Sequence, residues 1–216
     1  MVKKAKDAQN TAIALGIGYT PFIVVNGKIY QGALDKKVID SFLAFTQRQY
    51  KTCPPQVIDP AKKYAATLKT EKGDIVIQLY PDKAPVTVNS FVFLARERWF
   101  DNITFHRVIP GFVAQTGDPL ADGTGSPGYE YGNEISDLQY DQPGRVGMAN
   151  AGPDTNGCQF FITYDALPQL NGGYTIFGQV INGMDVLKNL KERIPDNGGD
   201  LPPGDKIFSV AIEEKL

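Results

Sequence analysis

One arginine, two phenylalanines and a glutamine fall inside the eleven residues Phe105–Gln115, F-H-R-V-I-P-G-F-V-A-Q. Pro110-Gly111 predicts a turn that ends one strand and starts another. Arg107 on the first strand, with Phe112 and Gln115 on the second, then offers a permanent cation beside an apolar floor. A second stretch, Met148–Thr163 (M-A-N-A-G-P-D-T-N-G-C-Q-F-F-I-T), adds Gln159, Phe160 and Phe161 after a loop of turn formers. Together they predict one shallow groove built from two places in the chain, whose chemistry is that of positioned donors and apolar contact. Covalent and metal chemistry have no residues to work with. Neither G-x-S-x-G nor H-E-x-x-H occurs. His106, the single histidine, has no ligand cluster and is read as structural. Cys158 adjoins Gln159 without a base in sight and is read as an inert thiol. Gly123-Thr124-Gly125-Ser126-Pro127-Gly128 spells the dinucleotide fingerprint, but no strand precedes it and Pro127-Gly128 blocks the helix that should follow. It is a glycine-rich loop near the groove.

The elements that must carry this groove are short strands. The chain has 216 residues, 42% hydrophobic and 21% charged, ordinary for a soluble globular protein and long enough for a second module. Its 22 glycines and 15 prolines fit many turns between strands and stop short of low complexity. A net charge of -2 gives no electrostatic reason to expect nucleic acid or an anionic membrane. Alternation and turn signals predict strands at Ala65–Thr70, Ile75–Leu79, Ile103–Val108, Val113–Thr116, Val146–Met148, Phe160–Thr163, Thr175–Val180 and Ile207–Ile212. Ala84-Pro85 opens a helix with Val88, Phe91, Val92 and Ala95 on one face, and a second helix is predicted over about Asp185–Lys191. Eight strands and two helices suit a mainly β, closed antiparallel barrel, which leaves no unpaired edge.

F-H-R-V-I-P-G-F-V-A-Q followed by M-A-N-A-G-P-D-T-N-G-C-Q-F-F-I-T resembles the cyclophilin-type peptidyl-prolyl isomerases, from about Tyr64 to the C-terminus. The resemblance implies the same eight-stranded barrel capped by two helices. It also implies rotation of X-Pro bonds in proteins, with no cofactor and no metal. Such a bond resists rotation because resonance gives it double-bond character, with a barrier of roughly 18–20 kcal/mol. A catalyst needs only a donor near the imide and an apolar seat for the proline ring. Carried over by motif, Arg107 is the catalytic cation with Gln115 beside it. Phe112, Val113, Phe161 and Leu170 line the proline pocket, and Tyr174, where many members have histidine, is a further substrate-binding residue. Gln115 and Gln159 hold substrate or water, and Ala149 and Asn150 hold the backbone of the residue before proline. Partners implied are proline-containing peptides and unfolded proteins. The alternative is a proline-binding or chaperone module with little turnover.

Residues 1–50 differ in character. Ala8, Ala12 and Leu15 predict a helix over 2–15. Phe22–Val25 and Ile29-Tyr30 flank Asn26-Gly27, a hairpin signal, and Val38, Ile39, Phe42, Leu43 and Phe45 predict a helix from Asp35 to about Gln49. This order resembles the distal half of a thioredoxin-like domain, which implies a cis bond at Thr20-Pro21, but the C-x-x-C dithiol that redox chemistry needs is missing. Half a domain exposes apolar surface, so this segment is expected to pack on its neighbour, on a second copy of itself or on further chain. Residues 51–63 hold three prolines and are read as a stiff linker, with the barrel domain over 64–216. Cys53 and Cys158 form neither a zinc framework nor C-x-x-C, and a disulfide between them stays open, with idle thiols favoured. No apolar run spans a bilayer and no signal peptide is seen; the compartment stays open, cytoplasmic as written and extracytoplasmic if the chain is a fragment.

Two departures from the family pattern carry a prediction. Val113 stands where many members have methionine, and Gln169-Leu170-Asn171-Gly172 where many have Trp-Leu-Asp-Gly. The cyclic immunosuppressant that inhibits many cyclophilins leans on that tryptophan, so inhibition is expected to be weak. A protease-coupled isomerisation assay showing nanomolar inhibition would contradict this.

Overall fold

The computed structural model describes residues 23–25, 28–30, 36–194 and 201–215. The helix expected over 2–15 and the Thr20-Pro21 bond lie outside these residues. The chain divides into two compact units, Met1–Arg48 and Gln49–Leu216. In the first, β1 (Ile23–Val25) and β2 (Lys28–Tyr30) pair antiparallel, Val25 opposite Lys28, and α1 covers Lys36–Arg48. Phe45 on α1 is buried and its ring lies 6.3 Å from that of Phe42.

The second unit is a nine-stranded antiparallel sheet. Its strands are β3 (Lys63–Thr70), β4 (Gly73–Leu79), β5 (Ile103–Thr104), β6 (Arg107–Val108), β7 (Val113–Thr116), β8 (Arg145–Met148), β9 (Phe160–Thr163), β10 (Ile176–Asn182) and β11 (Lys206–Lys215). Across the sheet they run β5-β11-β3-β4-β10-β8-β9-β7-β6. The strand expected over Ile103–Val108 is broken in two, which raises the count from eight to nine. At Phe105-His106 the chain changes partner: β5 pairs with β11, whereas β6 pairs with β7. Both residues at the break are buried, and Phe105 N–H donates to the Asp205 carbonyl.

Two helices of the second unit, α2 (Pro85–Arg96) and α3 (Met184–Lys188), lie where proline and glycine signals put them. Phe91 of α2 packs with Phe100, Phe160 and Phe177, ring centroids 5.2 to 5.3 Å away, to form the centre of the core. The single buried face expected of α2 is too narrow, because Asn89 and Ser90 are buried as well. The outer side is covered by the proline-rich stretch. Asn89 Oδ1 accepts from Val57 N–H at 2.7 Å and Asn89 Nδ2 donates to the Pro55 carbonyl at 2.9 Å. Helix α3 stops short of Lys191. The buried Asp205 takes the Lys191 N–H at 2.6 Å, and the Nζ atoms of Lys72 and Lys191 lie 3.7 Å from its other oxygen. Cys53 is exposed and Cys158 buried, and both are free thiols, which closes the disulfide left open above.

The start of α2 has no cap of its own, since Ala84 provides no side-chain acceptor. Glu134, far along the chain, fills the gap: its two oxygens accept from Val86 N–H at 2.9 Å and Thr87 N–H at 2.8 Å. A carboxylate there satisfies two orphan donors and complements the helix dipole. Glu134→Ala is expected to cost about 1–2 kcal/mol, lowering the thermal midpoint by about 2–8 °C in a unit of this size. Thermal denaturation followed by circular dichroism measures it, and an unchanged midpoint would show the cap to be idle.

Candidate functional site

The site is a row across adjacent strands. Arg107 of β6 lies opposite Gln115 of β7, Gln115 opposite Phe161 of β9, Phe161 opposite Gly147 of β8, and Gly147 opposite Ile176 of β10. Residues directly opposite in an antiparallel ladder project to the same face. Val113, two before Gln115, shares that face, whereas Phe160 turns to the opposite one and belongs to the aromatic core. Arg107 is half-buried, with its guanidinium carbon 5.5 Å from the ring centroid of Phe112. This cation–π contact holds the charge over the turn that carries the apolar wall.

The apolar part of the face is a small core separate from the inner one. Val113, Tyr140, Phe161, Leu167 and Ile176 are buried together, with Phe112, Leu138, Ala149, Leu170 and Tyr174 packed against them. Phe161 is clamped on two sides. The Tyr140 ring stacks on it at 5.8 Å and 26°, and Tyr174 meets it edge-on at 5.6 Å and 87°. Tyr140 O–H donates to the Tyr174 carbonyl at 3.4 Å, and Tyr140 N–H to Asn171 Oδ1 at 2.8 Å, tying the far loop to the clamp.

The polar part continues along the same face. Gln115 Nε2 donates to Gln159 Oε1 at 3.1 Å, and Gln159 Nε2 donates to the carbonyls of Gly123 at 2.9 Å and Gly125 at 3.0 Å. Both amide protons of Gln159 are thereby spent on the glycine-rich loop, while Gln115 keeps one without a partner among the described residues. Ala149 N–H donates to the Gln159 carbonyl at 2.9 Å, and the Asn150 amide is turned onto the Gly173 carbonyl at 3.1 Å. Gln115, Ala149, Asn150 and Gln159 also line a cavity of about 220 Å³ whose other wall is the glycine-rich loop.

All ten residues singled out from the sequence therefore fall on one face, in two adjoining groups. Phe112, Val113, Phe161, Leu170 and Tyr174 form the apolar group. Gln115, Asn150 and Gln159 form the polar one, with Ala149 shared between them and Arg107 standing at the Gln115 end. Sequence reasoning missed Tyr140, Leu138 and Leu167 behind the apolar group, and Glu130 and Thr155 in the cavity; each comes from a loop without regular period. His106 is buried and its Nδ1 has no partner among the described residues. Burial holds the imidazole below its ordinary pKa, against the pull of Asp118 and with the push of Arg193. It stands as a neutral ring beside Arg107. Burial likewise pushes the Cys158 thiol up, which leaves it unreactive.

Comparison with known proteins agrees with this geometry. The family model described as cyclophilin type peptidyl-prolyl cis-trans isomerase/CLD matches residues 65–212. Peptidyl-prolyl cis-trans isomerase B of Streptomyces anulatus is 47% identical over 174 residues, covering 72% of this chain and 99% of that protein. Peptidyl-prolyl cis-trans isomerase CYP71 of Arabidopsis thaliana is 46% identical over 151 residues, which cover 67% of this chain but only 24% of that protein. A cyclophilin type isomerase of Cryptosporidium parvum superposes with a TM-score of 0.63 at 34% identity, over 71% of this chain and 99% of that one. The same protein was also solved in the presence of the dipeptide Ala-Pro, at 35% identity to this chain. The chain belongs to the cyclophilin-type peptidyl-prolyl cis-trans isomerase family.

Gly147 makes the clamp possible. A Cβ there would overlap the Tyr140 hydroxyl and come within 2.6 Å of Phe161 Cζ. Gly147→Ala is expected to destabilise by about 1–3 kcal/mol through overpacking, and Tyr140→Phe by about 0.5–1.5 kcal/mol through the lost hydrogen bond. Removing the hydroxyl also clears the nearest obstacle. The double variant should therefore be more stable than the sum of the two by at least about 0.5 kcal/mol. Urea unfolding of the four proteins measures this, and strict additivity would mean that the hydroxyl does not set the space.

Proposed function

We propose that residues 64–216 speed rotation about X-Pro bonds in peptides and unfolded proteins, with Arg107 as the donor that favours the half-turned bond. The observation that carries the reading is the row itself, in which a permanent cation, an amide with a free proton and a clamped aromatic seat stand side by side. At a quarter turn the imide loses its resonance and nitrogen regains a lone pair. A donor poised there meets a better acceptor in the transition state than in the ground state. Phe112, Val113, Phe161 and Leu170 seat the proline ring, with Tyr174 at the rim. Ala149 and Asn150 hold the backbone of the preceding residue, and Gln115 helps Arg107 fix the carbonyl. Gln159 holds the Gly123–Gly125 wall in place and accepts from Gln115.

The same reading treats the sheet as a closed barrel of eight strands. Its end strands β5 and β6 are separated in the chain by Phe105 and His106 alone, so joining them makes one bent strand. For residues 1–50 the proposal is a partial thioredoxin-like segment without redox chemistry, which the order of β1, β2 and α1 supports, and which serves for docking or self-association. Residues 51–63 connect it to the isomerase domain.

A charge-assisted hydrogen bond contributes roughly 1.5–3 kcal/mol, and every 1.4 kcal/mol or so is tenfold in rate. Arg107→Ala is therefore expected to lower kcat/KM for a short proline peptide by about 10- to 100-fold, with Arg107→Lys between the two. NMR exchange spectroscopy of the peptide measures both isomers without a coupling protease. If the alanine variant turns over peptide as fast as the parent, the arginine is no catalyst, and if neither speeds the exchange, the groove is a binding module.

A further inference from the structure

Residues 49–58 precede the stretch that matches the family and include Pro54-Pro55, yet they belong to the second unit, which starts at Gln49. Tyr50 is set among three aromatic rings, its centroid 5.1 Å from Phe93, 6.2 Å from Trp99 and 6.3 Å from Tyr129. At the other end, Val57 N–H donates to Asn89 Oδ1, the Arg96 guanidinium donates to the Val57 carbonyl at 2.9 Å, and Ile58 is buried. The stretch is a strap fastened at both ends. Helix α1 stops at Arg48, so the first unit joins the second at the strap itself.

What the strap holds is the glycine-rich loop. Gln49 Nε2 donates to the Ser126 carbonyl and Tyr50 N–H to the Pro127 carbonyl, each at 2.8 Å. Gly128 has a φ of 94°, and a Cβ on it would overlap the Tyr50 carbonyl, so loop and strap are in direct contact. The buried Asp118 secures the other root of the loop by accepting from the N–H groups of Leu120, Asp122 and Gly123. Among the described residues its hydrogen bonds reach no further than Gly123. The Ser126–Gly128 side is left to the strap.

This loop sets the direction of an amide in the site. Its Gly123 and Gly125 carbonyls take both amide protons of Gln159, whose Oε1 then accepts from Gln115 Nε2 at 3.1 Å. Gln115 stands opposite Arg107. We infer that Gln49 and Tyr50 are positioning residues of the isomerase site: they fix the loop, the loop turns Gln159, and Gln159 turns Gln115 toward the imide. The inference rests on the isomerase reading. A reacting group held loosely loses rate even when its own chemistry is intact, so support this far from the bond still counts.

The test uses the full chain. Q49M keeps the length of the side chain and removes its donor, and Q49K puts a donor back. By NMR exchange spectroscopy of a short proline peptide, Q49M is expected to lower kcat/KM by about 2- to 10-fold, the worth of one neutral hydrogen bond, with Q49K closer to the parent. In a Q159L background, where the relay is cut, Q49M should change nothing further. An effect of equal size in both backgrounds, or none in the parent, overturns the inference. Tyr50 has its own reporter in Trp99, the single tryptophan of the chain and 1% exposed. Acrylamide quenching of its emission should rise in Y50A, and unchanged quenching would show that the ring does not seat the strap. The relay is also read without turnover, from solvent exchange of the Gln159 side-chain amide protons, which Q49M should speed and Q49K should not. Unchanged exchange in Q49M overturns the inference whatever the rates show. If the parent turns over no peptide while Q49M speeds that exchange, the isomerase reading fails and the relay stands as the support of a binding groove.

Discussion

Everything on the candidate face depends on strand register. Arg107, Gln115, Phe161 and Gly147 come from four strands and meet only because β6, β7, β9 and β8 pair with those residues opposite one another. A slip of one residue in β9 would send Phe161 inward and bring Phe160 out, since successive side chains alternate between faces. The inner core forbids the slip. Phe160, packed against Phe91, Phe100 and Phe177, and Ile162 are fully buried, and a slip in either direction would put a polar residue, Gln159 or Thr163, in one of their places. Packing inside the sheet thereby sets chemistry outside it.

The face needs its own rigidity too, because a sheet gives direction to a side chain but does not choose its rotamer. Phe161 is held by Tyr140 behind and Tyr174 at the edge, and Gly147 leaves room for both. Backbone ties make the clamp one piece: Tyr140 accepts from Leu167 N–H at 2.8 Å and donates to Asn171, so the loops before β8 and after β9 are linked. Two apolar clusters, one on each side of the same strands, thus support each other through the sheet between them.

The residues legible in the sequence were those whose neighbours in space are neighbours in chain or strand. Arg107, Phe112 and Gln115 share one hairpin, and Phe160 and Phe161 one strand, so alternation alone sorts groove from core. The eight strand positions followed from the same alternation. What stayed hidden depends on long-range contacts. The break at Phe105-His106 exists because β11 and β7 compete for one stretch of backbone, and no local pattern marks it. Gln159, expected to hold substrate or water, turns its amide to carbonyls 36 and 34 residues away. Glu134 caps a helix 47 to 48 residues earlier in the chain, and Tyr140 and Glu130 sit in loops where residue type says little about direction. Residues 51–63 have the prolines of a spacer, yet Asn89 fastens them to α2.

In the proposed rotation the seat and the cation do different work. An apolar seat grips the proline ring equally before and during the turn, so its contacts raise affinity and leave the barrier where it was. Only an interaction that strengthens as nitrogen regains its lone pair lowers that barrier, and Arg107 is the group placed to make one. The seat still matters for rate, because it decides where the nitrogen lies when the lone pair appears. A guanidinium displaced by an ångström from that point loses most of a directional bond. The cation–π contact with Phe112, which itself belongs to the seat, ties the two together: the residue that positions the ring also positions the charge. Rotation needs no proton transfer, so a permanently charged donor suits it better than a titrating one, and the buried, neutral His106 beside Arg107 adds no second charge to compete for the imide.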